Sequence, residues 1–271
     1  MSRNALFGQY WTGESLVHRM DPRVKMLLSL ALMVVVFCAQ SWVGLAICAA
    51  FIGAFICAAE IPLPQAFRSI APLMILVLFT ALLNAFFVQS GEVYFSWWVI
   101  VVSEGGLARA AFVALRLTLL LLCASMLTLT TPTLDITEGF ERLLTPFARF
   151  GLPAHELGMM MGIALRFLPQ FVSELRIVYR AQTSRGASIT ANPFKGGMRS
   201  VLSLIVPLFA SAFRHAETLS LAMDARCYHG GNGRTRLNEL AISSRDGIGL
   251  FAVILMLACV LVSNGFFPAA I

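Results

Sequence analysis

The sequence predicts an all-α membrane protein with about five transmembrane helices and long cytoplasmic helices between the last two spans. Of its 271 residues 58% are hydrophobic and only 13% charged, whereas soluble domains carry about 25% charged residues. Its mean hydropathy is +0.81, and the stretch 26–59 contains no Asp, Glu, Lys or Arg. These observations divide the chain into a cytoplasmic N-terminus (1–25), four transmembrane helices (26–130), a cytoplasmic helical region (131–245) and a C-terminal transmembrane helix (246–271).

The charge-free stretch 26–59 is too long for a single span, because a bilayer core takes roughly 20 apolar residues. Polar residues, Gln40 and Ser41, interrupt it near the middle. We therefore predict a hairpin of two short spans with an outside turn. Arg68 and the two prolines before it mark the short inside loop that follows.

The third and fourth spans are predicted at 69–88 and 107–129. The loop between them, 89–106, has no Lys or Arg and clusters one tyrosine with two tryptophans, as an aromatic belt at the membrane interface does. We therefore place this loop outside the cell. Arg109 and Arg116 fall in the fourth span; the deeper of the two, Arg116, needs a partner or a polar cavity there.

Basic residues are concentrated between the fourth span and the last, which is predicted at 248–266. Residues 131–245 hold 13 of the 20 Lys and Arg residues. Because positive charge collects on the cytoplasmic side, five spans with a cytoplasmic N-terminus satisfy this distribution. It also explains the net charge of +6, since no basic patch with interleaved aromatics indicates a nucleic-acid partner.

The cytoplasmic region is predicted to be helical, because its apolar residues recur at steps of three and four. One series runs along 157–178 and a second along 202–223. This spacing is typical of helices that pack against other helices. We expect the two long helices to pack together through a set of apolar residues, namely Phe171, Leu175, Phe209 and Ala212.

The pattern Ala-x-x-small-Arg-small occurs twice in this region, once after each apolar series. Its members are Ala181, Ser184, Arg185 and Gly186 in the first copy and Ala222, Ala225, Arg226 and Cys227 in the second. Small neighbours leave a guanidinium unobstructed, and its rigid fork of donors suits carboxylates and backbone carbonyls. The two copies together predict docking to a soluble partner with two similar pockets.

The alternative is that each arginine only complements the negative end of its own helix. A matched pair makes this simpler interpretation less favoured. Gly186 is suited to end the first helix in the left-handed conformation. At the second copy Cys227 replaces the glycine, so we expect that helix to end later, at Gly230 and Gly231.

With these motifs the chain resembles the transmembrane T component of energy-coupling factor (ECF) transporters, which are vitamin and metal uptake systems of prokaryotes. The resemblance covers essentially the whole length. It includes the N-terminal run 8–25, with Ser15-Leu16-Val17-His18-Arg19-Met20-Asp21-Pro22-Arg23, the segment 165–169 and both copies of the motif. Ser184 stands for the usual alanine and Cys227 for the usual glycine.

The resemblance implies a function: a transmembrane coupling scaffold in a prokaryotic cell membrane. Two cytosolic ABC-type ATPases would bind the motif arginines, and the long coupling helices would carry their motion to a substrate-binding membrane subunit, the S component. The chain itself would be non-catalytic and bind no cofactor, and ATP and Mg would be bound by the partner ATPases.

The sequence contains no Gly-x-x-x-x-Gly-Lys-Ser/Thr phosphate loop, and its six cysteines show no Cys-x-x-Cys spacing. No catalytic or metal-binding residue is therefore assigned. Two alternatives stay open. One is a T component dedicated to a single substrate such as cobalt, nickel or biotin. The other is an intramembrane enzyme acting on lipid-linked substrates, which would need a cluster of acidic or His residues near a membrane face.

Overall fold

A computed structural model describes residues 10–88 (except 12 and 14), 93–97, 100–151, 153–186, 198–230 and 243–266. Within these ranges the chain is helical almost throughout, which confirms the predicted all-α fold class. The helices are α1 (Pro22–Cys38), α2 (Trp42–Ala58), α3 (Leu63–Ile70), α4 (Met74–Phe87), α5 (Glu104–Thr130), α6 (Thr133–Leu144), α7 (Ala154–Ser184), α8 (Met198–Asp224) and α9 (Ser244–Phe266). Short 3₁₀ turns, Ala71–Leu73 and Thr145–Phe150, precede α4 and follow α6.

The chain divides into two compact units. Unit 1 comprises Met1–Phe140 and Asn238–Ile271, and unit 2 comprises Glu141–Leu237. Unit 1 therefore contains α1 to α5 and α9, and unit 2 contains α7 and α8. Helix α6 begins in unit 1 and ends in unit 2.

Three described helical segments are long and apolar enough to cross a membrane: Leu63–Phe87, Glu104–Thr130 and Ser244–Phe266. They correspond to the predicted third, fourth and last spans, each with a few more residues at its start. The shorter apolar helix Trp42–Ala58 and the 17-residue helix Pro22–Cys38 form the two halves of the predicted first hairpin. The break between them falls at the predicted polar residues.

Three of these helices begin at a side-chain cap that the sequence supplies. The Asp21 carboxylate accepts a hydrogen bond from the Arg23 amide at the start of α1, where Pro22 occupies the first helical position. Ser41 and Ser103 do the same for α2 and α5, and each accepts from the amide of the third residue of its helix, Gly44 or Gly106. The helix starts are therefore determined locally.

The core of unit 1 is formed by α1, α2, α5 and α9. Leu45, Phe112 and Met256 are completely buried, and the Phe112 ring meets Trp42 edge-on at 5.2 Å. By contrast, α4 exposes most of its apolar side chains, including Ile75 and Phe87. Lipid is the solvent expected for such a surface.

Arg116, the charged residue deep in the fourth span, has its partner inside this core. Its guanidinium donates to the carbonyl of Ala39, in the turn between α1 and α2. It also lies over the Phe112 ring, 4.7 Å from the ring centroid. These contacts give the charge one carbonyl and one aromatic partner, and they join the first hairpin to α5.

The segment before α5, predicted to be a loop, contains a small β-hairpin. Strands β1 (Val93–Trp97) and β2 (Ile100–Ser103) pair antiparallel, with Trp97 opposite Ile100. Valine, isoleucine and aromatic residues have high strand propensity, and they predominate in this segment. The side chains of the predicted aromatic belt lie outside the described residues.

Candidate functional site

Both copies of the repeated motif lie at the end of a long helix. Helix α7 ends at Ser184 and α8 at Asp224, so Arg185 and Arg226 fall in the turn directly beyond each helix. All motif residues are exposed, namely Ala181, Ser184, Arg185, Gly186, Ala222, Ala225, Arg226 and Cys227. In the described part of the chain, neither guanidinium has an ion-pair partner. Both donor forks are therefore available to another molecule.

The first motif ends its helix as the sequence predicted. The amide of Arg185 donates to the carbonyls of Ala181 and Gln182, and the amide of Gly186 donates to Thr183. Gly186 has φ +85°, in the left-handed region where glycine carries no steric cost. The predicted role of Gly186 as the residue that ends α7 is confirmed.

The predicted end of the second helix at Gly230 and Gly231 is wrong, because α8 already ends at Asp224. Cys227 takes the left-handed conformation itself, with φ +53°. Its amide donates to Asp224 and the amide of Tyr228 to Met223, which satisfies the last carbonyls of the helix. For an L-residue this conformation costs roughly 1–2 kcal/mol, so the second motif retains the turn of the first despite strain.

Helices α7 and α8 contact each other through a polar cluster. His215 of α8 donates from Nε2 to the Glu174 carboxylate at 2.6 Å, and Gln170 and Ser211 lie within 3.0 and 3.3 Å of the same nitrogen. The hydrogen bond from His215 lowers the pKa of the Glu174 carboxyl below its ordinary value, and one from Ser211 adds to this. Glu174 is therefore ionised at neutral pH and able to hold a donor from α8.

Phe209 and Leu175, which were expected to pack α7 against α8, are both exposed. Phe209 is 60% exposed and Leu175 is 40% exposed. Phe171 and Ala212 are half-buried, and the Phe171 ring lies 6.0 Å from the His215 ring. Apolar periodicity identified a stripe on α8, but the face that meets α7 carries serine and histidine, which a search for apolar residues overlooks.

The N-terminal run, for which no site role was predicted, forms a buried polar junction in unit 1. The Asp246 carboxylate accepts the amides of Asp21 and Ser243, at 3.0 and 2.7 Å. The Lys25 ammonium donates to the carbonyls of His18 and Thr130. This junction ties the starts of α1 and α9 to the end of α5.

Other residues of the N-terminal run fix the segment before α1 against the end of α5. Ser15 Oγ lies 2.7 Å from Nδ1 of His18, whose Nε2 is 3.0 Å from the carbonyl of Trp11. The Trp11 amide in turn donates to Leu129 at the end of α5. In the sequence, the only indication of this junction was a run of polar residues directly before the first span. That these residues are buried could be seen only in the folded structure.

Within the described residues, no three His, Cys, Asp or Glu side chains come close enough together to hold a metal ion. The two motif turns are exposed and belong to unit 2, as does an apolar stripe on α8 formed by Val206, Phe209 and Phe213.

Comparisons with known proteins place these features in a family. A family model described as "CbiQ: Cobalt transport protein" matches residues 13–237. The protein named energy-coupling factor transporter transmembrane protein EcfT of Brevibacillus brevis is 43% identical over 258 residues, covering 95% of this chain and 97% of the relative. Proteins of the same name from Clostridium kluyveri and Bacillus subtilis are 41% and 37% identical, covering 96% and 95% of this chain and 96% and 97% of the relatives.

Proposed function

This chain belongs to the family of transmembrane T components of ECF transporters, and we propose that it is the coupling scaffold of such a transporter. In this role it links ATP hydrolysis by two cytosolic ABC-type ATPases to the movement of a substrate-binding S component. The single observation that carries the proposal is the pair of matched turns that present Arg185 and Arg226. ATP and Mg are bound by the ATPases and not by this chain.

The geometry of the two turns suits docking of two similar subunits. Each arginine directly precedes a left-handed residue, Gly186 or Cys227, and each is surrounded by small exposed side chains. A guanidinium presented in this way can enter a groove and form paired hydrogen bonds with carboxylates or carbonyls. Retention of the same turn at Cys227, where it is strained, supports a functional demand for this geometry.

An exposed apolar stripe on α8 supports the second contact, with the S component. Val206, Phe209 and Phe213 are 62%, 60% and 71% exposed and follow one another at steps of three and four. Contiguous exposed apolar surface marks a site of protein or membrane contact. We assign this stripe to the membrane-embedded S component, which gives Phe209 a binding role in place of the packing role expected from the sequence.

The orientation follows from the same proposal. ATP is cytosolic, so the turns at Arg185 and Arg226 lie in the cytoplasm, as does the N-terminus. The distribution of Lys and Arg supports this placement. The protein is then a multi-pass component of the prokaryotic plasma membrane.

We favour a T component shared by several S components, because the relatives named EcfT align with this chain over nearly their whole lengths. The description of the matched family as a cobalt transport protein favours the second candidate, a T component dedicated to one substrate. Purifying the membrane complex and identifying its chains separates the two, because a shared component co-purifies with several different S components.

The docking role is tested by reversing both charges. Arg185→Glu together with Arg226→Glu should abolish co-purification of the ATPases, while the protein still inserts in the membrane. Removing one half of a desolvated charge-assisted contact costs about 2–5 kcal/mol, and reversing the charge costs more.

A matched control makes the same change in charge elsewhere in unit 2. Arg149 and Arg176 are both exposed and lie outside the motifs, so Arg149→Glu with Arg176→Glu should leave the ATPases bound. Normal recovery of both ATPases with the Arg185 and Arg226 double variant would show that these arginines do not dock them.

A further inference from the structure

The imidazole of His215 occupies the centre of the contact between α7 and α8. It donates to Glu174 at 2.6 Å, and both side chains are shielded, with 28% and 21% of their surfaces exposed. Gln170 approaches both partners, at 3.0 Å from the imidazole nitrogen and 3.3 Å from the carboxylate. Hydrogen bonds to an ionised carboxylate are stronger than neutral ones, particularly where water is partly excluded.

Two aromatic rings of α7 also hold the imidazole. The Phe167 ring stacks on it with an interplanar angle of 16° and a centroid distance of 5.9 Å, and the Phe171 ring lies at 6.0 Å. His215 therefore contacts α7 along two successive turns, through Phe167, Gln170, Phe171 and Glu174. Such a contact resists both sliding and rotation of one helix against the other.

The contacts show how the two helices run past each other. Phe167 and Gln170, in the middle of α7, meet His215, whereas Ile177, further along α7, lines a 190 Å³ cavity with Pro207, which precedes His215 in α8. The helices are therefore antiparallel at their contact, and their C-terminal ends lie on opposite sides of it.

The distances from this contact to the two motifs are matched. Arg185 follows Glu174 by 11 residues (185 − 174), and Arg226 follows His215 by 11 residues (226 − 215). At 1.5 Å per residue both separations are about 16 Å, or about three helical turns. We call the segments 174–185 and 215–226 the two arms. They run from the contact at His215 to the two motif turns, and they are equal in length.

We propose that His215 is a positioning residue that pins α8 to α7 at one point, about which the two arms move when the docked partners move. The inference rests on the proposed function, since it assumes that each motif turn is held by an ATPase. When His215 holds the two helices together, displacement of one arm moves the other arm through this contact. When His215 is absent, the helices slide past each other and displacement of one arm no longer moves the other.

The test measures the arms directly in the purified complex with its ATPases. Spin labels are attached to cysteines that replace Tyr179 on α7 and Ser220 on α8, both exposed and outside the motifs, with the native cysteines replaced by serine, or by glycine at Cys227. The distance distribution is recorded without nucleotide and with a non-hydrolysable ATP analogue. With His215 present we expect a narrow distribution that shifts on addition of the analogue.

His215→Ala should broaden the distribution and remove the shift, while the ATPases stay bound and continue to hydrolyse ATP. His215→Gln keeps an amide donor for Glu174 and should restore part of the shift. The matched control His229→Ala removes an exposed histidine outside the contact and should change nothing.

The outcomes separate this inference from the proposed function. Failure of the unsubstituted protein to retain ATPases would overturn the proposed function. Retention of the ATPases with the same nucleotide-dependent shift in His215→Ala as in the parent would overturn the role of His215 and leave the docking function standing.

Discussion

Replacing Phe112 by alanine should destabilise unit 1 by about 3 kcal/mol. Buried Phe→Ala changes cost about 3–5 kcal/mol in water-soluble cores. We take the lower end because lipid or detergent gives the ring an apolar environment in the unfolded chain as well. The change also removes the edge contact with Trp42 and the aromatic face beneath Arg116.

The assay is thermal unfolding of the purified protein in a mild detergent. At roughly 2–4 °C per kcal/mol for a chain of this size, Phe112→Ala should lower Tm by about 6–12 °C. The matched control is Phe209→Ala, which removes the same atoms from a side chain that is 60% exposed. Exposed substitutions of this kind usually stay within about 0.5 kcal/mol, so Tm should change by no more than about 2 °C.

Equal falls in Tm for the two variants would refute the reasoning, because burial is the property that distinguishes them. A larger fall for Phe209→Ala would restore the packing role that the sequence suggested for it. If Phe112→Ala is not recovered from membranes, Phe112→Leu keeps most of the apolar volume and should still lower Tm more than Phe209→Ala does.

Two further predictions concern unit 2. Cys227→Gly removes the cost of a left-handed L-residue and should maintain or raise Tm without loss of ATPase co-purification; loss of the ATPases would show that the thiol, and not the turn, is what the motif presents. The Glu174 carboxylate has a lowered pKa in the folded protein, so the stability it contributes is fully present above the ordinary Glu pKa of about 4.3 and is lost as pH falls below it. His215 and Arg214 are the basic side chains beside it, and Glu174→Gln should therefore lower Tm at pH 7 and lower it progressively less as pH falls below about 4.3; a pH-independent difference would contradict this assignment.

Most of the architecture follows from local features of the sequence. Charge-free stretches determine the apolar helices, and caps such as Asp21, Ser41 and Ser103 determine where helices begin. Gly186 determines where α7 ends. Each of these signals acts within a few residues along the chain, so no knowledge of the fold is needed to interpret it.

The paired arginines could also be located from the sequence alone. A repeated pattern of small residues around Arg185 and Arg226 is visible without coordinates, and the structure shows both turns exposed. What the sequence did not reveal is that Cys227 adopts the same left-handed turn as Gly186. The hydrogen bonds of the helix end outweigh the steric cost at that residue, and this balance depends on the whole turn.

The tertiary structure decided which faces meet. Apolar periodicity placed Phe209 in the contact between α7 and α8, whereas Glu174 and His215 make that contact and Phe209 faces outward. Periodicity shows that a helix has an apolar face, but burial depends on what lies opposite, and a membrane protein also offers apolar faces to lipid and to membrane-embedded partners. The burial of Lys25 and the partner of Arg116 were hidden for the same reason, because each depends on carbonyl groups that only the folded chain brings near them.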